Sequence, residues 1–250
     1  MIDKRRYRAV VEYDGTDFRG FQVQASGRTV QGEIEKSLQQ VTQSVLRIEG
    51  AGRTDAGVHA TGQVIAFNAV WKHSLVELQR ALNANLPDDI VISYLKIADP
   101  AFHPRFSALN RSYHYTIINQ PWVNVMRRRY AYHVRKPLDI TAMNKASQFL
   151  VDVHDFASFG KPPQGENTVR HVTRAEWTAN DNLLIFEITA NAFLYHMVRT
   201  IVGTLVRVGL GQLAANEIDT ILKARDLMRS APAAPAHGLC LVQVTYPVES

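Results

Sequence analysis

The hydrophobic pattern of this chain predicts the same order of strands and helices twice, which is the strongest constraint on its fold. Residues 6–15 alternate in polarity and indicate a strand. An apolar stripe from Val30 to Val41 predicts a helix, and Thr29 is suited to its N-cap. The other predicted elements are strands at 45–49 and 63–70, a helix from Ser74 that ends before Pro87, and a strand at 90–97. The first half therefore has the order β-α-β-β-α-β.

The second half repeats this order without visible sequence identity to the first. Its predicted elements are a strand at 111–119, a helix at 139–151, strands at 168–179 and 183–190, helices at 193–211 and near 216–224, and a strand at 239–246. The chain is therefore predicted to be an α+β protein with two ferredoxin-like (βαββαβ) halves and mainly antiparallel sheets. Prolines in segment 99–110 mark the boundary. We place the domains at 1–104 and 105–250.

Charge favours a polyanionic partner. The net charge is +5 and the pI is about 9.4. Basic residues cluster at 4–6 and 127–129, and arginines outnumber lysines. The planar arginine side chain suits phosphates and base edges better than the point charge of lysine. Nucleic acid is thus the favoured partner class, and a solvated basic face is the alternative.

Composition also limits the cellular context. No apolar run reaches the roughly 18 residues that a membrane span needs. The first residues lack the long apolar region of a signal peptide. The single cysteine, Cys240, permits neither an intramolecular disulfide nor a thiolate metal cluster. We therefore expect a cytoplasmic protein with no membrane contact and no metal.

The segment GAGRTDAGVHATGQ, residues 50–63, is the main candidate for a functional loop. It combines one carboxylate, Asp55, and one cation, Arg53, with four glycines and a single large aliphatic residue. Glycines permit positive φ angles and let a ligand approach the backbone closely. A simple turn built on Asp-Ala-Gly is the alternative.

The predicted helix around 192–206 contains one permanent charge, Arg199, in a sequence that is apolar on every side. Such a helix is expected to be buried. A buried arginine needs a carboxylate partner, and Asp55 is a candidate. A carboxylate held by arginine stays ionised and suits a nucleophile or an electrostatic base. The alternative is that Arg199 extends along its aliphatic stem to the surface.

Several motifs of known catalytic and binding sites are missing from the sequence. The sequence lacks a complete dinucleotide fingerprint, a P-loop, a GxSxG elbow and a histidine spacing typical of a metal site.

Tyr113 and Tyr115 lie on the same side of one predicted strand. Such aromatics either stack on RNA bases or fill the protein core, and the residues alone do not distinguish these roles.

The segment GRTDAGVHA at 52–60 resembles the signature of the TruA family of bacterial tRNA pseudouridine synthases. Further blocks resemble that family in the same order, at 20–35, 103–108, 111–117, 152–159, 193–203 and 236–247. The resemblance implies conversion of uridine to pseudouridine in the anticodon stem-loop of tRNA, conventionally at positions 38 to 40. It also implies a pseudouridine-synthase-like fold with an active cleft between the halves, a catalytic loop and RNA binding in 1–104, and catalysis in 105–250.

The resemblance also assigns roles to single residues. It implies that Asp55 is the catalytic aspartate, that Tyr113 stacks on the target base and that Arg199 holds Asp55. Arg53 would occupy the space of the flipped base or contact its phosphate, and Leu239 would pack on the uracil. The family further implies a homodimer with tRNA lying across both subunits, and no cofactor.

Several alternatives remain open at this point. Asp55 either attacks C6 of the uracil, attacks C1′ of the ribose, or removes the 2′ proton, and Tyr113 is one candidate for the base that takes the C5 proton. A non-catalytic tRNA-binding protein or RNA chaperone would share the basic charge and the two ferredoxin-like units. A small-molecule nucleoside enzyme is a weaker alternative.

Overall fold

A computed structural model of the chain describes residues 3–247. The chain forms two compact units, one reaching Leu109 and including the segment from Leu241, the other spanning Asn110–Cys240. Each unit contains helices and a mainly antiparallel sheet, which confirms the α+β class. The functional division into 1–104 and 105–250 stays a prediction.

The first unit follows the predicted β-α-β-β-α-β order. Its elements are β1 (Arg5–Tyr13), α1 (Val30–Thr42), β2 (Glu49–Gly50), β3 (His59–Ala69), α2 (Leu75–Asn85) and β4 (Ile90–Ile97). Strand β1 lies between β3 and β4 and is antiparallel to both. The short β2 pairs with β3, placing Glu49 opposite Ala66.

The two helices of the first unit begin at the predicted caps. The Thr29 side chain accepts a hydrogen bond from the backbone N–H of Gly32. Ser74 and Glu77 form a reciprocal capping box at the start of α2. Apolar residues on both helices are buried, so helix position follows from the stripe and the cap together.

The second unit contains more strands than the sequence predicts. Its elements are β5 (Asn110–Asn119), β6 (Tyr132–Val134), α3 (Ile140–Ser147), β7 (Asp152–Asp155), β8 (Val169–Asn180), β9 (Leu183–Ala190), α4 (Met197–Gly209) and α5 (Glu217–Ala224). Strand β5 is antiparallel to β9 and parallel to β6. Strands β9, β8 and β7 follow as antiparallel neighbours.

The last strand, β10 (Leu239–Thr245), begins in the second unit with Leu239 and Cys240 and continues in the first. In the first unit it lies next to β3. The fit is close, because a Cβ atom at Gly62 of β3 would lie 2.1 Å from the carbonyl oxygen of Val242. No helix in the part of the chain that the structure describes has the length and hydropathy of a membrane span.

Several predicted elements have different bounds, among them the strand predicted at 63–70, which is β3 (His59–Ala69), and the helix predicted at 139–151, of which α3 covers Ile140–Ser147. Of the strand predicted at 45–49, only Glu49 pairs in a sheet; the backbone N–H of Ile48 instead donates to a carboxylate oxygen of Glu35 on α1, at 3.1 Å. The helix predicted at 193–211 begins at Met197. His196 has a φ of 64°, which stops the helix from extending further toward the N-terminus.

Candidate active site

Asp55 and Arg53 lie on the loop between β2 and β3 in the first unit. Arg53 is exposed and Asp55 is half-buried, whereas Ala51, Thr54 and Val58 are buried. The buried residues fasten the loop on both sides of the carboxylate. The loop therefore differs from a simple surface turn.

A buried glutamine fixes the first part of this loop. The Gln63 side chain is completely buried; its amide nitrogen donates to the Gly52 carbonyl oxygen at 2.9 Å. Its amide oxygen accepts from the backbone N–H of Val64 at 3.2 Å. The N–H of Ala51 donates to the Val64 carbonyl at 2.8 Å. Strand β3 thus holds the chain just before Arg53.

Thr54, the residue before Asp55, is held by two hydrogen bonds, one at its hydroxyl group and one at its carbonyl oxygen. Its hydroxyl forms a 2.8 Å hydrogen bond with the Tyr13 hydroxyl at the end of β1. Its carbonyl oxygen accepts from the backbone N–H of Phe21 at 3.1 Å. Gly20 has a φ of +94° and lies close to the backbone of Thr54. A Cβ atom at position 20 would be 2.8 Å from the Thr54 carbonyl oxygen. A side chain at position 20 would therefore displace the residue before Asp55.

The residues after Asp55 are held by a second close approach. The backbone N–H of Val58 donates to the Asp55 carbonyl oxygen at 3.1 Å, and Gly57 in this turn has a φ of +78°. Gly15 packs against the Val58 carbonyl, and its N–H donates to Nδ1 of His59 at 3.0 Å. A carboxylate whose backbone is fixed on both sides is preorganised to act on a ligand.

Arg199 lies in the first turn of α4 in the second unit and is half-buried rather than fully buried. Its Nε atom donates to the carbonyl oxygen of Ala234 at 2.7 Å. The backbone N–H of Ala234 donates in return to the Arg199 carbonyl at 2.9 Å. Arg199 therefore fastens the segment that leads into Leu239.

Tyr115 also holds the segment that leads into Leu239, through a hydrogen bond and a close contact. It is completely buried, and its hydroxyl donates to the carbonyl oxygen of Pro235 at 2.8 Å. A Cβ atom at Gly238 would lie 2.7 Å from Cζ of Tyr115 and 3.0 Å from the Thr116 carbonyl oxygen. Only glycine fits there, and this close contact positions Leu239, which is buried at the start of β10.

Tyr113 is buried two residues before Tyr115 on β5, with 8% of its surface exposed. Its ring makes an edge contact with Phe193, with centroids 5.1 Å apart and planes at 88°. The low exposure and this ring contact show that Tyr113 is a packed side chain. Stacking of Tyr113 on a target base stays a prediction.

The structure thus groups the five candidate residues as follows: Arg53 and Asp55 share one loop of the first unit, and Tyr113, Arg199 and Leu239 lie in the second. The pairing of Asp55 with Arg199 and the roles of all five stay predictions. The sequence did not reveal the supporting residues Tyr13, Thr54, Gln63 and Gly238, whereas Tyr115 has the core position that was one of its two predicted roles. The position of Gly238 directly before Leu239 was the one local signal available.

Replacement of Tyr115 by phenylalanine is expected to lower the free energy of unfolding by about 1–3 kcal/mol, because the Pro235 carbonyl loses its donor. Burial raises the pKa of the Tyr115 phenol. Its stabilising contribution is therefore complete below about pH 10, the unfolded value, and is lost as the pH rises further. The stability of Tyr115→Phe should consequently decline less steeply above pH 10 than that of the wild type.

Urea unfolding at several pH values measures both effects. Burial also raises the pKa of Tyr7, so the variant should keep part of the alkaline decline. Tyr94→Phe, at an exposed tyrosine, is the control and should change the free energy of unfolding at neutral pH by less than about 0.5 kcal/mol. An unchanged alkaline slope in Tyr115→Phe would contradict the prediction.

Comparison with known proteins shows which family and which proteins this chain is similar to. The family model described as tRNA pseudouridine synthase matches residues 9–107 and 146–247. A protein named tRNA pseudouridine synthase A from Brevibacillus brevis is 45% identical over 243 residues, which cover 97% of this chain and 100% of that protein. A protein of the same name from Thermosipho africanus is 43% identical over 244 residues, with the same coverage.

Among solved structures, a chain of a Cbf5–Nop10–Gar1 complex is similar over 80% of this chain and 54% of that one, with 10% identity and a TM-score of 0.33. A TM-score of this size carries no argument about the fold. The family relationship therefore rests on the sequence matches, which include the Asp55 loop.

Proposed function

The chain belongs to the tRNA pseudouridine synthase family, and we propose on this basis that it isomerises uridine to pseudouridine in tRNA. The proposed targets are the uridines at positions 38 to 40 of the anticodon stem-loop. The observation that carries the proposal is the loop that presents Asp55. It lies within the matched residues, and its backbone is held by hydrogen bonds at Gly52, Thr54 and Val58.

The reaction rearranges bonds without a net gain or loss of atoms. The N1–C1′ glycosidic bond breaks, the uracil turns, and a C5–C1′ bond forms; C5 loses a proton and N1 gains one. No oxidant, reductant or transferred group is needed. A target base inside a stem must first be flipped out, at a cost of a few kcal/mol.

The ionised carboxylate of Asp55 is proposed to start this rearrangement, by attack on C6 or C1′ or by removal of the 2′ proton. A fixed backbone suits each route, because a reacting oxygen must be held close to its target atom. The exposed guanidinium of Arg53, two residues earlier, is available to the RNA and is proposed to contact the phosphate or the space left by the flipped base.

Residues of the second unit are proposed to hold the flipped base and the carboxylate. Tyr113 would stack on the uracil, which is worth roughly 1–3 kcal/mol per base in nucleic-acid complexes. Leu239 would pack against the other side of the base. Arg199, whose Nε donates to the Ala234 carbonyl oxygen, is proposed to pair with Asp55, as the family resemblance implies.

The family resemblance also supports two proposals about context. We propose that the chain acts as a homodimer, with tRNA lying across both subunits, and that it functions in the cytoplasm. Analytical ultracentrifugation of the free protein and of its tRNA complex measures the first proposal. A protein that remains monomeric in both samples would contradict it.

Tritium release tests the proposed activity directly. A tRNA transcript labelled at C5 of its uridines should lose tritium on incubation with the protein, because C5 gives up its hydrogen. Transcripts with cytidine at positions 38 to 40 should release none. Free uridine and UMP should be inert, which separates this activity from that of a small-molecule nucleoside enzyme. Tight tRNA binding without tritium release would instead indicate an RNA chaperone.

A further inference from the structure

The segment 120–130 between β5 and β6 carries the densest group of exposed apolar side chains among residues 3–247. Trp122 and Met126 are 81% and 86% exposed, and Val125 is 69% exposed. Three consecutive arginines, at 127–129, are exposed in the same segment. A contiguous exposed apolar patch beside charged residues indicates an interaction surface, whereas singly exposed apolar residues do not.

The backbone of this segment is ordered by hydrogen bonds within the segment. The amide nitrogen of Gln120 donates to the carbonyl oxygen of Trp122 at 2.7 Å. The backbone N–H of Arg127 donates to the side-chain oxygen of Asn124 at 3.1 Å, and the N–H of Tyr130 donates to the Arg127 carbonyl at 2.9 Å. The exposed side chains are therefore presented on a formed scaffold, which lowers the entropy cost of binding.

A cavity of about 310 Å³ adjoins the segment. It is lined by Asn124, Arg127, Asn180, Asp181, Asn182 and Leu183, the last four from the end of β8, the turn after it and the start of β9. Side-chain amides offer donors and acceptors together, as the edges of nucleobases require. The turn is tied to the segment, because the side chains of Asn182 and Gln120 form a hydrogen bond.

We propose that the surface formed by residues 120–130 and the turn at 180–182 binds tRNA, with the three arginines on backbone phosphates and Trp122 stacked on one unpaired base. The inference rests on the proposed function for the identity of the RNA. Its physical basis is charge, since residues 120–130 contain three arginines and no acidic residue, against the one carboxylate of Asp181 in the turn. Guanidinium groups bind phosphate oxygens in pairs of hydrogen bonds, and tryptophan offers a stacking platform.

The same charge disfavours a second copy of the chain as the occupant. An isologous contact centred on this segment would bring the two runs at 127–129 close to each other at the two-fold axis. Each copy also carries a net charge of +5. Like charges at such a contact repel, whereas a polyanion neutralises them. RNA is therefore the occupant that the surface fits.

The salt dependence of tRNA binding tests the arginines. Each phosphate contact adds about 0.7–0.9 to the slope of log affinity against log salt. The triple variant Arg127→Gln, Arg128→Gln, Arg129→Gln should therefore have a slope smaller by about 2 to 3. Between 50 and 200 mM salt, wild-type affinity should fall about 20- to 40-fold more than that of the variant. Arg47→Gln, at an exposed arginine paired with Glu35, is the control and should keep the wild-type slope.

Trp122 provides an independent test. Trp122→Ala should weaken tRNA binding by about 5- to 150-fold, the range given by one stacked base, and Trp122→Phe should restore most of the loss. Because Trp122 is exposed, both variants should keep the wild-type melting temperature. The effect should appear in KM for tRNA rather than in kcat.

The outcomes separate this proposal from the proposed function. Tritium release by the wild type tests the activity, whatever the variants do. An unchanged salt slope in the triple variant would overturn the surface proposal even if the protein is an active synthase. Conversion of a dimer to a monomer by Trp122→Ala, with the salt slope of the triple variant unchanged, would also overturn it and identify the surface as a subunit interface.

Discussion

Replacement of Asp55 by asparagine is expected to abolish pseudouridine formation while leaving the fold and tRNA binding intact. The amide has nearly the same shape but neither the charge nor the nucleophilicity of the carboxylate. Removal of an essential reacting group typically lowers kcat by about 10⁴-fold or more. The main-chain bond from Val58 to the Asp55 carbonyl does not involve the side chain, so the loop should keep its conformation.

Single-turnover tritium release at saturating tRNA measures this loss without interference from product release. Asp17→Asn is the matched control, because it makes the same change at an exposed carboxylate near Gly15 and should retain wild-type activity. Binding of tRNA by Asp55→Asn, measured at the same salt concentration, shows whether the site is still formed. A variant that keeps more than about a tenth of the wild-type rate would show that the carboxylate is not the reacting group.

Local signals in the sequence were sufficient for much of the fold. The caps at Thr29 and Ser74 lie next to the helices that they start, so composition and spacing over four residues predicted where α1 and α2 begin. Long alternating segments such as β5 and β9 were equally visible. These elements depend on interactions within a few residues, which a single sequence displays.

Other elements depend on partners that are distant in the chain. The three-residue β6 forms only because it lies parallel to β5, and its own pattern is too short to predict a strand. The start of α4 is set by the φ of His196 and by the hydrogen bond from the Tyr195 N–H to the Lys161 carbonyl. Residues 193–196 are compatible with a helix, and tertiary contact overrides that preference.

In the candidate site, too, some features could be predicted from the sequence and others depend on residues that are distant in the chain. The glycines around Asp55 indicated a loop of special conformation, but the sequence could not show which atoms hold it. Tyr13 is 41 residues from Thr54, and the hydrogen bond between their hydroxyls follows from the adjacency of β1 and β3. The Gln63 contact with Gly52 likewise requires the chain to fold back on itself. The sequence therefore indicated a candidate carboxylate, whereas the contacts that hold its loop could not be predicted from the sequence.

Replacement of Gly15 by alanine is expected to be the most disruptive single-methyl change near this loop. A Cβ atom at Gly15 would lie 2.0 Å from the carbonyl oxygen of Val58 and 2.5 Å from its carbonyl carbon. Both are backbone atoms, so no rotamer change relieves the clash. Overpacking of this kind should lower the free energy of unfolding by about 3 kcal/mol. Displacement of Val58 also moves Asp55, and a shift of about 1 Å should lower the rate about 100-fold.

Urea unfolding and single-turnover tritium release, both at a temperature where the variant is folded, measure the two effects separately. Gly52→Ala, on the same loop, is the matched control, because a Cβ atom there would meet nothing within 4 Å. Its free energy of unfolding should be unchanged or raised by up to about 1 kcal/mol, since alanine restricts the unfolded chain. Wild-type stability in Gly15→Ala would show that the contact with Val58 does not position the loop. Normal stability with reduced activity in Gly52→Ala would instead show that RNA approaches the backbone at Gly52.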